Sequence, residues 1–431
     1  MTRPGHTASG HPESWYLATA SQFPDQPVLR EPVRAEVVIV GAGYTGLSAA
    51  LHLAERGIDV VVLEAGRVGC GASGRNGGQI HSGQRRDQEY LEAAVGRDDA
   101  RTLWGMAEEA KTLVKDLIAR HAIDCALTPG LIIADHKPHY VDMTRTHARH
   151  LREVYGYDQI ETLDREQLHA LVGSLGYFGG MIDHGAGHLH PLNFARGLAR
   201  AALAAGVRIF EHSRAVRFED RHGVKVETAG GGEVNADILL LCGNGLMDGL
   251  DSRVDEHVMP INNYIAVTAP LGARAKTIIS NGAAVADSRF VVNYFRMTPD
   301  GRLLFGGGES YRRSLRPNVT DFVRPFLLRI FPQLADVKLD YGWGGTLGIT
   351  MTRMPFVRRL SDHVVVSAGY SGQGVALAPL FGKILAETLA GQIARLDVLE
   401  RLPVPRFIGG TALRYPLLVA GLTYYALRDR L

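Results

Sequence analysis

The stretch from Val37 to Glu64, VVIVGAGYTGLSAALHLAERGIDVVVLE, constrains the fold more than any other part of the chain. Val37 to Val40 are β-branched and apolar and predict a buried strand. Gly41, Gly43 and Gly46 supply G-x-G-x-x-G, with Tyr44 and Thr45 between them. Leu47, Ala50, Leu51 and Ala54 then continue at helical spacing. A second apolar strand, Val60 to Leu63, ends on Glu64. Gly41 permits a tight turn, Gly43 lets the backbone approach a pyrophosphate, and Gly46 lets helix and strand pack closely. The helix N-terminus offers unpaired N–H groups and the positive end of its dipole to phosphate. Glu64 lies 18 residues beyond Gly46, where a carboxylate accepts hydrogen bonds from both hydroxyls of an adenosine ribose. An acid there disfavours a ribose 2′-phosphate, so the expected ligand is FAD or NAD rather than NADP.

The next segment, AGRVGCGASGRNGGQIHSG, separates the two cofactors, because it carries seven glycines between Gly66 and Gly83. So few side chains let the backbone lie against a flat ligand. An NAD domain needs no such loop. An isoalloxazine does, since its N5, N1, O2 and O4 are satisfied largely by backbone groups. Ala65, Ala72, Ser73, Arg75, Asn76, Gly77, Gly78 and Gln79 are the expected contacts. Two later turns are expected to join them. The strand ADILLL runs into Cys242, Gly243 and Gly245, after a meander that brings Val216 to the nucleotide. The strand HVVVSA enters Gly369, Tyr370, Ser371, Gly372, Gln373 and Gly374, and a helix starts at Val375. A helix N-terminus beside the N1–O2 edge stabilises the anionic reduced ring.

Elsewhere the pattern predicts helices over 88–126, 139–155 and 164–172, and a helix from Pro191 that Gly206 caps. Period-2 stretches, including VMPINNYIAVTA and a hairpin turning at Pro299-Asp300-Gly301, predict an antiparallel sheet. The expected fold is therefore α/β plus antiparallel β. A discontinuous FAD-binding domain covers 34–100, 186–253 and 345–395. A substrate domain covers 101–185 and 254–344, and 396–431 forms a docked tail.

The 47 basic and 45 acidic side chains nearly cancel, and no basic run appears, so nucleic acid is not an expected partner. Cys70, Cys125 and Cys242 are far apart and form no C-x-x-C, which fits a reducing, cytoplasmic compartment. The polar N-terminus has no apolar core of a signal peptide. The apolar tail, Leu417 to Leu427, is shorter than the roughly 20 residues of a spanning helix. It reads as a docked helix, with peripheral membrane contact as the alternative. His184, His188 and His190 lack a completing carboxylate or cysteine, so a helix entry and no metal is expected.

Three separated glycine turns resemble the glutathione-reductase-type FAD fold. The interrupting β-rich segments resemble the D-amino-acid oxidase class, where an antiparallel sheet covers the flavin. More narrowly, GASGRNGGQI, GHLHPLNFARGLARAA, WGGTLGIT, GYSGQGV and the ending LRYPLLVAGLTYYALRDRL are similar to γ-glutamylputrescine oxidases, from about Ser14 onward. That resemblance implies oxidation of a primary amine to an aldehyde, with ammonia released and O₂ reduced to peroxide. Relatives acting on amino acids carry an arginine after W-x-G that clamps the substrate carboxylate. Here Trp343 is followed by no arginine until Arg353, which disfavours reaction next to a carboxylate. No histidine stands near Cys70 to Gly74 and no cysteine in the C-terminal third, the positions of covalent tethers in related branches, so non-covalent FAD is expected.

Hydride transfer to a flavin requires a neutral, well-placed amine more than a strong base. Gln79, His81, Tyr264 and Trp343 are the candidates for contact with the reacting amine. The competing reading is a flavin dehydrogenase of another amine or imino acid that passes electrons to a non-oxygen acceptor.

Overall fold

The computed structural model describes residues 10–247, 249–310, 314–411, 413–416 and 419. Among these residues the strands form two sheets. The strand Val33–Val40 lies inside the first, an eight-stranded sheet. Val60–Leu63 flanks it on one side and Glu233–Leu241 on the other, both parallel to it. Val364–Ala368 pairs in parallel with Glu233–Leu241, and Arg208–Phe210 with Val60–Leu63. The wholly apolar strands are those buried on both faces: every residue of Val60–Leu63 and Val364–Ala368 is buried. Five parallel strands bring their C-terminal ends to one edge, where α/β sheets bind ligands.

The helices Tyr44–Ala54, Pro191–Ala204 and Gly374–Leu389 pack together on this layer. Gly96 interrupts the long helical pattern after Val95, and a second helix runs Arg97–Arg120. That helix buries Ala100, Leu103, Met106 and Leu117 in the core of the first sheet. The boundary expected at 100/101 therefore falls inside a helix of the nucleotide layer. The boundaries at 185/186 and 344/345 fall within strands of the second sheet, Gly180–His188 and Leu339–Ile349. The helix Ala394–Glu400 buries Leu396 and Leu399 in the first core, so the segment from 396 opens as part of that layer. Amphipathic spacing gives a helix its buried face but does not say which sheet receives it. Of the tail stretch Leu417 to Leu427 only Val419 is described, and the docked-helix reading lies outside the described residues. No helix among the described residues is long and apolar enough to cross a membrane.

The second sheet has nine strands. Its pairs are antiparallel except Ala284–Asp287 against Thr128–Ala134. The hairpin turns where expected, with Gly301 at φ 75 and its N–H donating to the Thr298 carbonyl. The helix Val319–Ile330 covers one face, burying Val323 and Leu327 against Tyr264, Phe295 and Phe305.

The short helix Trp15–Thr19 docks its aromatics as expected: Trp15 and Tyr16 are both buried. It abuts His190, the N-cap of Pro191–Ala204, whose Nδ1 accepts from the Asn193 N–H at 3.1 Å. Thr19 Oγ1 donates to the Trp15 carbonyl, so it accepts from His190 Nε2 at 3.1 Å. Burial pushes the His190 imidazole down to about 3, with nearby Arg296 adding to the effect. Among the described residues no cluster of His, Cys, Asp or Glu is placed to hold a metal.

A histidine kept neutral in the fold contributes stability that is present above its unfolded pKa, about 6.5, and lost as pH falls toward the folded value. His190→Asn keeps an N-cap acceptor and removes this titration. Its urea midpoint should fall less than that of the wild type between pH 8 and pH 5. An equal loss in both proteins would show that His190 does not titrate on unfolding.

Candidate functional site: a dinucleotide cleft joined to a polar cavity

Three glycine turns meet at the shared strand edge. Gly41 has φ 110, and a Cβ there would lie 2.8 Å from the Cys242 carbonyl oxygen. A Cβ at Gly46 would lie 2.0 Å from the Gly41 carbonyl oxygen, so no other residue fits at the third position of this helix. Asn244, itself at φ 51, accepts from the Gly369 N–H at 2.8 Å and ties the second turn to the third. Tyr370 OH lies 2.6 Å from Thr45 Oγ1 and ties the third to the first. The helices Tyr44–Ala54 and Gly374–Leu389 have Gly43 and Gln373 at their N-caps, and neither makes a side-chain capping bond. Two positive helix ends therefore face one cleft.

Glu64 is half-buried, and its geometry is fixed by backbone. Oε2 accepts from the Ala42 N–H at 2.8 Å and Oε1 from the Gly66 N–H at 2.9 Å. Burial raises its pKa, and those two N–H groups oppose the rise. Cys70 Sγ also donates to Oε1 at 3.7 Å, so Oε2 keeps the lone pair that can face a ribose.

The glycine loop is held by guanidinium groups on backbone carbonyls. Arg75 donates from Nε to Cys70, from Nη1 to Gly344 at 3.2 Å and from Nη2 to Gly10 at 3.0 Å. Arg296 Nε donates to the Gly77 carbonyl at 3.0 Å. Asn76 Nδ2 donates to the carbonyls of Ala72 and Ser73, and its Oδ1 accepts from the Gly78 N–H at 2.7 Å. Ser73 Oγ accepts from the Tyr44 N–H at 3.0 Å.

Of the residues expected at the cofactor, the cleft is lined by Gly41, Gly43, Tyr44, Thr45, Glu64, Ala65, Ala72, Ser73, Arg75 and Asn76. Cys242, Gly243, Gly245, Tyr370, Gly372, Gly374 and Val375 complete the set. Gly46, Gly78 and Gly369 lie behind the lining and shape the backbone. Gly77, Gln79 and Gln373 face the adjoining cavity instead. Val216 is misplaced by one position: it is 47% exposed, and Arg214 and Ala215 line the cleft. The pairing slips between Ala215 and Arg217, and such a bulge inverts the face each residue takes. Sequence reasoning also missed Asn244, Thr346 and Leu347. The signal for Asn244 was its place inside the Cys242-Gly243-Asn244-Gly245 turn.

A second cavity of about 560 Å³, within the usual range for small-molecule sites, opens beside the cleft. The two share a wall: Ala72, Arg75, Asn76, Thr346, Leu347, Ser371, Gly372 and Val375 line both. Gln79 and His81 line this cavity. Gln79 Nε2 donates to the Val285 carbonyl at 2.8 Å. Burial, with nearby Arg85, pushes His81 down to about 4. Tyr264 and Trp343 do not line either space and are corrected. Tyr264 is fully buried behind the sheet against Phe322, with its OH accepting from the Arg316 N–H. Trp343 is buried against Tyr16 and donates from Nε1 to the Arg75 carbonyl at 3.0 Å. Both sheet faces are covered, so alternation along the strand does not reveal which face meets the cavity. Three further residues unmarked by any motif line it: Arg85, Glu309 and Arg353.

The glycine cradle, the uncapped helix ends and the ribose acid fit FAD. They define a flavin-binding oxidoreductase. Residues 36–388 match the family described as DAO, FAD dependent oxidoreductase, and the chain belongs to that family. It is 42% identical over 97% of each chain to the probable oxidoreductase OrdL of Rhizobium meliloti. It is 39% identical to the γ-glutamylputrescine oxidoreductase of Escherichia coli, over 98% of this chain and 99% of that one. In fold it is similar to glycine oxidase from Geobacillus kaustophilus, with TM-score 0.69 and 20% identity. That match covers 88% of this chain and 98% of that one.

Glu64→Ala should weaken FAD binding by about 1.5–3 kcal/mol, the range for hydrogen bonds to a charged group. Fluorescence titration of the apoprotein with FAD measures it, and an unchanged affinity would place the ribose on another residue.

Proposed function

We propose that the chain oxidises the primary amine of γ-glutamylputrescine, or a close N-acyl diamine, to an aldehyde. Water enters, ammonia leaves, and O₂ takes the electrons to give hydrogen peroxide. The observation that carries this reading is the wall shared by cleft and cavity, taken with the near full-length likeness to the Escherichia coli protein of that name. Bound FAD supplies the two-electron acceptor. Arg75 is the charged side chain of the shared wall, and its guanidinium bonds backbone carbonyls. Thr346 and Leu347 stand on that wall in the stretch where amino-acid oxidases carry their carboxylate clamp. This arrangement supports a substrate whose reacting carbon bears no carboxylate.

FAD is held without a covalent bond on this reading. Burial pushes the cleft thiols Cys70 and Cys242 up to about 12, which leaves them poor nucleophiles. Acid precipitation should release all the flavin, and yellow pellets would contradict it. The three cysteines are free and buried, which supports a reducing, cytoplasmic setting.

His81 is neutral well below physiological pH and acts as a hydrogen-bonding group at the amine rather than as its titrating base. The substrate amine, with a solution pKa of about 10.4, must shed its proton in the site. Anaerobic stopped-flow with γ-glutamylputrescine should show flavin reduction accelerating with pH, through an apparent pKa below that of the free amine. No inflection from His81 should appear near pH 6.5. Faster reduction by glycine, sarcosine or D-alanine would overturn the proposal. Oxygen consumption against dye reduction decides between O₂ and another acceptor.

A further inference from the structure

We propose that Tyr294 contacts the reacting amine, with its phenol oxygen accepting a hydrogen bond from the amine N–H, and that Asn263 positions the hydroxyl to do so. The inference rests on the amine-oxidation reading and deepens it. Tyr294 opens the strand Tyr294–Met297, and Asn263 lies on the strand Met259–Thr268. Both residues line the polar cavity and neither lines the FAD cleft. They stand at the end of the cavity that joins the cleft. Asn263 pairs across the sheet with Gly345, the residue before Thr346 of the shared wall. A Cβ at Gly345 would lie 3.1 Å from Arg75 Cβ, so this strand rests on the glycine loop. The Tyr294 ring packs on the same loop. A Cβ at Gly77, the residue after Asn76 of the shared wall, would lie 2.7 Å from the ring. A Cβ at Gly306, the strand partner of Tyr294, would lie 2.0 Å from it, so two glycines form the slot that holds the ring.

The polarity of the hydroxyl is fixed. Asn263 Nδ2 donates to the Gly308 carbonyl at 3.2 Å, which turns Oδ1 toward Tyr294. That oxygen has no proton to give, so Tyr294 OH donates to it at 2.6 Å. Burial, with Tyr16 and Glu309 nearby, raises the phenol above its ordinary value of about 10, so it keeps its proton. The oxygen then offers the substrate only lone pairs. This polarity suits the reaction. As hydride leaves carbon for FAD with the two electrons of the C–H bond, the amine lone pair forms the C=N bond. Positive charge develops on nitrogen, and water then converts the iminium to aldehyde and ammonium. A hydroxyl that donated to the amine would tie up that lone pair. One that accepts leaves it free and stabilises the charge as it grows. A neutral acceptor also holds the amine without fixing its charged form, as a carboxylate would.

The test uses holoenzyme and γ-glutamylputrescine in anaerobic stopped-flow. Tyr294→Phe keeps the ring in its slot and removes the oxygen. It should lower the limiting reduction rate about 10- to 100-fold, the range for one hydrogen bond to a charged group. Its apparent Kd, and its bound flavin read from the absorption spectrum, should match the wild type. Asn263→Leu frees the hydroxyl to donate to the amine and should lower the limiting rate about 3- to 10-fold. The double variant should be no slower than Tyr294→Phe alone, because Asn263 acts only through that hydroxyl. An unchanged limiting rate in Tyr294→Phe overturns the proposal, as does a loss confined to the apparent Kd. Loss of flavin from Tyr294→Phe also overturns it, since the hydroxyl would then be a brace of the loop. Losses that multiply in the double variant overturn the role of Asn263. In each of these cases, reduction of the wild-type flavin leaves the amine-oxidation reading standing. If γ-glutamylputrescine fails to reduce the wild-type flavin, that reading falls and this proposal falls with it.

Discussion

Direct backbone-to-backbone contact between the ends of neighbouring parallel strands is the constraint on which this structure depends. Val33–Val40, Glu233–Leu241 and Val364–Ala368 are adjacent in the sheet, so the turns that follow them must share one small volume. Gly41 and the Cys242 carbonyl leave no room for a side chain between them. The same crowding aims the helices after Gly43 and Gln373 at one cleft, since each helix begins where its strand ends. Anion binding is thus a consequence of topology, and Glu64 adds the ribose contact at the end of the next strand.

The glycine loop between Gly66 and Gly83 then has to be rigid although it lacks side chains to pack. Arg75 and Arg296 meet that need by binding carbonyl oxygens. A planar guanidinium reaches two or three carbonyls at fixed angles, which an ammonium does not. Tyr16 OH donates to the Asn76 carbonyl and Trp343 to that of Arg75, so the N-terminal helix and the second sheet both brace the loop. Trp343 therefore matters to the flavin through the loop rather than as a wall of the cavity.

Local signals in the sequence account for the parts of the fold that were legible. The glycine turns, the strand preceding each and the ribose acid occupy consecutive positions, and the backbone geometry they demand is unusual enough to identify them. The N-terminal docking helix and the helix entry at His190 were legible for the same reason. Properties set by tertiary packing were not. The helix Arg97–Arg120 shows its apolar face but not the sheet that buries it. A bulge displaced Val216, and a sheet covered on both faces hid the true position of Tyr264. Arg85, Glu309 and Arg353 are more than two hundred residues apart at the extremes, and no motif links them. They reach one cavity only through the folding of the second sheet and the loops that follow its strands.

On the proposed reading, the reaction poses a conflict. The substrate must be held by ionic groups, yet its reacting amine must be neutral. A single strong acid near the reacting end would fix the ammonium form and stop the chemistry. Among the described residues the wall shared by cleft and cavity carries no carboxylate, so nothing on it holds the amine in its charged form.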